Sequence, residues 1–235
     1  ELTFDSLTKW PTKDRLPVGF DPADLIERGT NPGLGVRKLH AEGIDGRGVA
    51  IAIIDHPLLR DHVEYARRIA RYEEVESQGQ PPHMHGPGVA SIAVGKDCGV
   101  APGAVLHYYA DPTGRWQTCD PWRMVIETIL ERNKSLPAAE RVRVISISQG
   151  MFSAWPGFDE WKKTLDKAAE SGVLVATCDP TWLNHGMLRR IEGRDPDDPA
   201  SYTVGKYSDP MSPLLVPAAN RTIASNLGPN VYTYD

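Results

Sequence analysis

Polar side chains follow three apolar runs of the sequence, at the point where each run ends. The three clusters are Asp55-His56, Ser148-Gln149-Gly150 and Cys178-Asp179. Runs of β-branched and apolar residues such as 49–54 indicate strands that are buried on both faces of a parallel sheet. Because ligands of such sheets bind beyond the carboxyl ends of the strands, we expect the three clusters to form one functional site.

One carboxylate and one imidazole are candidates for an acid–base pair. Asp55 would be desolvated at the end of a buried strand unless a partner lies beside it. His85 begins a stretch of small residues, 85–95, which predicts a helix that packs closely against its neighbours. A histidine at the start of that helix can face Asp55, which would orient the ring and stabilise its protonated form. The alternatives are a turn or helix-capping role for Asp55 and an exposed loop position for His85.

Other ligand-type side chains give little indication of a metal or cofactor. His83 and His85 have the i, i+2 spacing of a strand edge, but the sequence offers no obvious third ligand. The acidic loop 194–199 is expected to be solvated rather than to bind calcium. The three cysteines cannot all pair within one chain and form no CxxC motif. We expect Cys178 to be a buried core thiol, and we predict no metal site and no cofactor.

Strand-like and helix-like segments alternate along the chain. Predicted strands are 49–54, 105–110, 142–148 and 173–177, with shorter ones at 201–205 and 214–216. Predicted helices are 36–42, the segment that begins at His85, 124–133 and 159–171. The charged stretch 64–76 is expected to be a solvated helix or hairpin face. Alternating strands and helices with short connections favour an α/β fold with a parallel sheet and helices on both faces.

Composition places the chain among globular proteins. Its 235 residues are 40% apolar and 24% charged, and the net charge is -5. The acidic balance gives no support to a nucleic-acid or membrane partner, and the longest apolar run, 49–54, is too short to span a bilayer. Residues 1–35 contain several prolines and are expected to form an extended arm, with a short helix at 21–28, or to be the remnant of a pro-segment. Residues 36–235 are expected to form the body.

Five segments, in order, resemble motifs of the subtilisin-like serine proteases. They are GRGVAIAIID at 46–55, HGPGVASIA at 85–93, GVAPGA at 99–104, VISISQG at 144–150 and GVLVA at 172–176. In that family the first carries an aspartate, the second a histidine at a helix start, and the fourth a strand whose end lines the substrate cleft. The resemblance extends from about residue 36 to 216. It implies a three-layer α/β fold with a central, mostly parallel sheet.

The resemblance also implies roles for individual residues. Asp55 would be the orienting aspartate and His85 the general base of an Asp-His-Ser triad. Ser148, Gln149 and Gly150 would offer backbone groups to an extended peptide, so a peptide or protein is the implied substrate. The family resemblance slightly favours an extracellular location.

Three features of the chain depart from the pattern of the family. Where the family commonly has Ala-Gly-Asn, this chain reads Thr-Cys-Asp-Pro-Thr at 177–181. Counting from Gly172 puts Thr181 at the oxyanion position, with Asp179 and Asn184 as nearby alternatives. An ionised Asp179 could not donate a hydrogen bond and would have to be protonated to serve. The second departure is His56, which replaces a small residue and could compete with His85 for Asp55.

The nucleophilic serine is the third departure. No Gly-x-Ser followed by a helix of small apolar residues occurs in the 235 residues, and Ser208, Ser212 and Ser225 lack that context. We expect the serine to lie beyond Asp235, in a segment that is missing here or present as a separate chain. The chain is therefore predicted to be part of a serine endopeptidase. The alternative is an inactive homologue that binds peptides or regulates a partner.

Overall fold

Eleven strands and five helices make up the described part of the chain, which in this computed structural model covers residues 2–75, 77, 79–111, 117–179, 185–205 and 214–235. The strands are β1 (Phe4–Asp5), β2 (Ala50–Asp55), β3 (Ile69–Glu74), β4 (Val105–Ala110), β5 (Val142–Ile147), β6 (Leu174–Thr177), β7 (His185–Arg190), β8 (Tyr202–Val204), β9 (Leu214–Pro217), β10 (Thr222–Ala224) and β11 (Tyr232–Tyr234). The helices are α1 (Pro22–Gly29), α2 (Val36–Ala41), α3 (His85–Val94), α4 (Asp120–Asn133) and α5 (Phe158–Glu170). None of these helices has the length and apolar content that crossing a bilayer requires.

A sheet of five parallel strands forms the centre of the molecule, in the order β3-β4-β2-β5-β6. The chain enters at the middle strand, β2, continues to one side for β3 and β4, and then crosses to the other side for β5 and β6. Because β2 has a hydrogen-bonded neighbour on each side and packed layers above and below, its sequence is a continuous apolar run.

Helices cover both faces of this sheet. Side chains of a strand point alternately to its two faces, so Ala52 and Ile54 share one face while Ile53 lies on the other. Ala52 and Ile54 belong to a buried cluster with Trp122 of α4 and Leu165 of α5. Ile53 belongs to a second buried cluster, which includes residues of α3. The prediction of a three-layer α/β fold with a parallel central sheet is therefore confirmed.

The charged stretch 64–76 differs from its prediction. Its residues 69–74 form β3, which pairs in parallel with β4 at the edge of the central sheet. An edge strand tolerates charged side chains, because one of its sides has no strand neighbour. Glu73 is paired there with Arg71 at 2.7 Å and with Arg132 of α4 at 2.6 Å. The charges that suggested a solvated face therefore mark a sheet edge.

Two small sheets flank the central one. In the first, β11 lies between β1 and β10, so the N-terminal arm is hydrogen-bonded to residues near position 235. Phe4 and Leu25 of the arm pack with Tyr234 in a separate buried cluster. In the second small sheet, β7 lies between β8 and β9. The short strands β8 and β9 were predicted, at 201–205 and 214–216, whereas β7, β10 and β11 were not.

Glu64 joins three segments of the fold and is buried, with 2% of its surface exposed. Its Oε2 accepts hydrogen bonds from the backbone nitrogens of Asp97 at 2.9 Å and Cys98 at 3.1 Å. Its Oε1 accepts a hydrogen bond from the Tyr232 hydroxyl at 2.8 Å. One carboxylate thus connects the turn after α3 to β11, and each of these donors depends on it.

Replacement of Glu64 by alanine leaves three donors without their acceptor. We expect Glu64→Ala to lower the free energy of unfolding by about 3 kcal/mol, since the buried Cys98 nitrogen and the partly buried donors of Asp97 and Tyr232 all lose their acceptor. Urea unfolding followed by circular dichroism measures the change. The matched control is Glu160→Ala, which removes an exposed partner of Lys163 and should cost less than about 0.5 kcal/mol. Equal losses in the two variants would contradict the role given to Glu64.

Candidate active site

The register of the central sheet brings the three polar clusters to one edge. Ile54 of β2 is paired with Ile147 of β5, and Ile147 is paired with Thr177 of β6. The residues that follow these partners are Asp55, Ser148 and Cys178, so the clusters begin side by side at the carboxyl ends of three adjacent strands. Asp55 shares its strand face with Ile53, which is the face covered by α3.

Asp55 and His85 form the central contact of this edge. His85 is the first residue of α3, and its Nδ1 lies 2.7 Å from Asp55 Oδ1. The Asp55 side chain is 1% exposed, whereas the His85 side chain is 44% exposed. The carboxylate therefore holds the inner edge of the ring while the outer edge faces solvent. This is the pairing that the sequence analysis predicted.

His56 contributes to the same carboxylate through its backbone. Its amide nitrogen donates a hydrogen bond to Asp55 Oδ1 at 2.7 Å, while its ring Nδ1 lies 3.6 Å from that oxygen. The expected competition between the two imidazoles therefore favours His85, the only one of the two at hydrogen-bond distance. No hydrogen-bond donor among the described residues reaches the buried Oδ2 of Asp55.

The pKa values of the pair are shifted apart. Burial acts to raise the pKa of Asp55, but hydrogen bonds from His56 and His85 and the charge of His85 outweigh it, so that the pKa falls to about 2. The hydrogen bond to Asp55 raises the pKa of His85 against the effect of burial. Asp55 is thus ionised at neutral pH. With Nδ1–H donated to it, the neutral His85 ring has its lone pair on Nε2, the nitrogen of a general base.

Gly86 allows the start of α3 to approach the end of β2. A Cβ at this position would overlap the carbonyl oxygen of His56 and would lie 2.6 Å from the Tyr108 hydroxyl. That hydroxyl donates a hydrogen bond to the same carbonyl, and the backbone nitrogen of His83 donates to Pro57 O at 3.1 Å. Only a glycine after His85 lets the ring come this close to Asp55.

The body of α3 is fixed by the first small sheet. Ser91 Oγ accepts a hydrogen bond from the backbone nitrogen of Ala224 in β10 at 2.9 Å and donates one to Gly88 O. A Cβ at Gly88 would lie 3.0 Å from Cδ1 of Ile223, so helix and strand are in close contact. The small residues of 85–95 are therefore explained by close packing, as the sequence predicted.

Ser148, Gln149 and Gly150 are half-buried and lie beside the segment that follows β6. The backbone nitrogen of Cys178 donates to Gln149 O at 3.3 Å, and the Gln149 side chain donates to Gly150 O at 3.0 Å. A Cβ at Gly150 would be 4.0 Å from the backbone nitrogen of Asp179, so the two chain segments run close together. This proximity of the second and third clusters was expected.

The oxyanion candidates are only partly described. Asp179 is half-buried, and its backbone nitrogen donates to Thr177 Oγ1 at 3.1 Å. Thr181 and Asn184 lie outside the described residues. β6 ends at Thr177, as predicted, but the prediction of a buried Cys178 thiol was wrong, because Cys178 is exposed. Of the serines considered as nucleophiles, Ser225 is 3% exposed and accepts a hydrogen bond from Leu227 N, and Ser208 and Ser212 lie outside the described residues.

Among the described residues, one group of three metal-binding side-chain types lies close together. Single ligand atoms of Asp55, His56 and His85 all lie within 4.8 Å of one another. The sequence analysis had considered His83 with His85 and found no third ligand; the fold instead supplies two from the end of β2. In the loop 194–199, Asp197 accepts hydrogen bonds from the Asn31 side chain and from Gly35 N, so that carboxylate connects the loop to the N-terminal arm.

Comparison with known sequences decides the family. A model of the subtilase family matches residues 46–179, more than half of the chain, and this match spans all three polar clusters. The chain belongs to the subtilase family. The resemblance found in the sequence is therefore confirmed.

Known relatives of this subtilase agree with that assignment. The chain is 34% identical over 97 residues to "Subtilisin-like protease PopC" of Myxococcus xanthus (strain DK1622), a match that covers 36% of this chain and 20% of that protein. The chain thus spans about a fifth of the length of this curated relative. The match supports the family without extending to the whole of the larger protein.

Solved structures confirm the subtilisin-like fold. The prenylagaramide maturation protease PagA superposes with a TM-score of 0.59 at 17% identity, over 86% of this chain and 73% of that one. The patellamide maturation protease PatG superposes with a TM-score of 0.56 at 13% identity, over 84% of this chain and 73% of that one. A cold-adapted subtilisin-like serine proteinase superposes with a TM-score of 0.55 at 15% identity, over 81% of this chain and 70% of that one. At these identities the likeness concerns the fold alone.

The close approach at Gly86 can be tested by adding one methyl group. We expect Gly86→Ala to lower the free energy of unfolding by more than about 2 kcal/mol, because the new Cβ meets backbone atoms of His56 that cannot move aside. Gly88→Ala is the control on the same helix, since its Cβ would come close only to the terminal Cδ1 of Ile223, at 3.0 Å, and to no backbone atom; its cost should stay below about 1 kcal/mol. Denaturant unfolding of both variants measures the difference. Similar costs would contradict the contact between α3 and His56.

The pairing of Asp55 with His85 can be tested by titration. We expect Asp55→Asn to lower the pKa of His85, because the substitution removes both the hydrogen-bond acceptor and the negative charge that raise it. NMR titration of the seven histidines in the presence of a chelator measures this pKa. His85→Asn identifies the resonance, and an unchanged pKa in Asp55→Asn would contradict the pairing.

The same variant changes how stability depends on pH. The pKa of Asp55 is lower in the folded chain than in the unfolded chain, so its ionisation stabilises the fold above the unfolded pKa. This contribution is lost as pH falls from about 4 towards about 2. We expect Asp55→Asn to lose less unfolding free energy than the original chain between about pH 4 and about pH 2, as measured by acid unfolding. Parallel stability profiles of the two proteins would contradict a stabilising role for ionised Asp55.

Proposed function

We propose that this subtilase is a serine endopeptidase in which Asp55 orients His85 and His85 acts as the general base. The observation that supports it most directly is the 2.7 Å contact between His85 Nδ1 and Asp55 Oδ1. The contact lies at the carboxyl end of the middle strand of the sheet, where ligands of such folds bind. It leaves the outer nitrogen of the ring directed away from the carboxylate and towards the open side of the site.

The proposed reaction uses this pair in two proton transfers. His85 Nε2 takes the proton of a serine hydroxyl as its oxygen attacks the peptide carbonyl carbon, and the same proton then passes to the leaving amine as the C–N bond breaks. Asp55 stays ionised throughout, as its low pKa requires, and stabilises the imidazolium that forms between the two transfers. Water repeats the sequence on the acyl-enzyme and releases the acid.

We propose further that the nucleophilic serine lies outside these 235 residues, whether in a following segment or in a separate chain. None of the serines at 208, 212 and 225 has the motif of a nucleophile. Buried Ser225 is also engaged with the backbone of Leu227. In this proposal residues 36–235 belong to the catalytic domain, and residues 1–35 are an arm of that domain rather than a remnant awaiting removal, which fits the pairing of β1 with β11.

The substrate of the proposed enzyme is an extended peptide or protein segment. Ser148, Gln149 and Gly150 extend β5 beyond its last sheet pair and would bind the peptide backbone as an added strand. The oxyanion donor is proposed to come from Asp179, Thr181 or Asn184. Thr181 and Asn184 can donate as neutral side chains, whereas Asp179 would have to be protonated to do so.

Covalent labelling of the natural protein that contains these residues tests the proposal. A fluorophosphonate probe should label one serine, and we expect His85→Ala to slow labelling at least about 1,000-fold because the base is lost. His40→Asn is the control: His40 lies on α2 and is bonded to Val100 O, away from the site. Peptide mapping identifies the labelled serine.

Three outcomes would overturn the proposal in different ways. A folded natural protein that resists the probe is an inactive homologue that binds peptides or regulates a partner. Labelling at a serine within the 235 residues contradicts the proposed position of the nucleophile. Labelling that is unaffected by His85→Ala removes His85 from the reaction.

A further inference from the structure

A second imidazole lies beside the Asp55–His85 pair and takes no part in the proposed proton transfers. The ring of His56 is 5.8 Å from the ring of His85, with 50° between their planes. Its Nδ1 is 3.6 Å from Asp55 Oδ1. The rings of His56 and His83 are 4.2 Å apart and tilted by 35°, so the His56 ring lies near both other rings.

We propose that Asp55, His56 and His85 together bind a divalent transition metal of the zinc class across the candidate active site. Each of the three offers a ligand atom, and these atoms lie within 4.8 Å of one another. Two imidazole nitrogens and one carboxylate oxygen are a common donor set for zinc, with bond lengths of about 2.0–2.2 Å. Calcium and magnesium prefer oxygen ligands throughout, so the two imidazoles select against them.

The buried oxygen of Asp55 is an independent indication of a ligand. Asp55 is 1% exposed, and its Oδ2 has no hydrogen-bond donor among the described residues. A buried carboxylate oxygen without a partner is costly, and a cation beside it removes that cost. The Oδ1 atom is already occupied by two donors, from His85 and from the backbone of His56. The carboxylate can therefore bind a metal through Oδ2 without giving up the backbone contact.

Small side-chain movements close the site around an ion. Ligands of a tetrahedral zinc ion lie about 3.3 Å apart, which follows from the bond lengths above. The His56 and His85 side chains are 24% and 44% exposed, so each has room to turn on its solvent side. The backbone of His56 is held by Asp55 on its nitrogen and by Tyr108 on its carbonyl oxygen, so the adjustment is expected from the side chains. Hydrogen bonds to a metal-binding residue keep that residue in position for the metal.

Metal binding would exclude proton transfer by His85, a consequence that rests on the proposed function. A metal on Nε2 occupies the lone pair that accepts the serine proton. A metal on Nδ1 displaces the hydrogen bond to Asp55 that orients the ring. In either arrangement the base is lost until the metal leaves, so zinc would act as a reversible inhibitor. The binding itself depends only on the three ligands.

Zinc titration of the chain tests the binding. The probe is zinc chloride at pH 7.5, with a chromogenic chelator as competitor, and we expect one high-affinity zinc ion per chain. His56→Asn, which removes only the ligand outside the Asp55–His85 contact, should weaken zinc binding at least tenfold. His40→Asn should leave it unchanged. Circular dichroism confirms that each variant is folded, and cobalt absorption of the original chain reports whether the bound metal is four-coordinate.

The outcomes separate this site from its rivals. Binding of less than one zinc ion per chain, or binding that survives His56→Asn, overturns the proposal. Zinc that is lost in Cys178→Ser but retained in His56→Asn also overturns it, because the exposed thiol would then be the ligand. A stoichiometric ion that depends on His56 and His85 upholds the site even if the natural protein never reacts with a fluorophosphonate. Where it does react, zinc should protect the original protein and fail to protect His56→Asn.

Discussion

A single buried carboxylate determines how the edge of the sheet can be built. Asp55 lies at the end of the middle strand, where packed layers exclude water, and an anion there needs donors. It obtains them from the backbone of the next residue and from a ring that a distant helix supplies. The pKa of about 2 shows that these donors outweigh the cost of burial. The position of α3 is therefore part of the stability of β2 as well as of the site.

The helix α3 reaches that position because its own residues are small. Gly86 has no Cβ that would overlap the backbone of His56, and the absence of a Cβ at Gly88 leaves room for Ile223 of β10. Ser91 then fixes the helix to β10, whose partner β11 is paired with the N-terminal arm. The contact between Asp55 and His85 thus depends on a series of packed elements that leads back to the first residues of the chain.

Features that are local in the sequence were predicted, and features that depend on distant contacts were not. Asp55 and His85 were found because a strand end and a helix start can be recognised from neighbouring residues. The burial of Glu64 and the edge strand β3 were missed, since both are decided by segments far away in the sequence. The end of the strand at Thr177 was predicted correctly, but the exposure of Cys178, the next residue, was not, because neighbouring residues in the sequence do not show what packs beside the end of a strand. The apposition of His56 with His83 likewise requires a turn that no periodicity reveals.

The distances around Asp55 also indicate which of two states of the site is favoured, the Asp55–His85 pair or the proposed metal site. His85 is at hydrogen-bond distance, 2.7 Å, while the ring nitrogen of His56 is at 3.6 Å, so without a metal the geometry favours the proton-transfer pair. A metal site needs the two rings to turn towards each other, and the binding energy of the ion must offset that movement, together with the hydrogen bond to Asp55 where the metal binds Nδ1. His56, at a position where the family usually has a small residue, therefore leaves the pair of Asp55 and His85 intact in the absence of a metal. It adds a second state whose population follows the concentration of free metal.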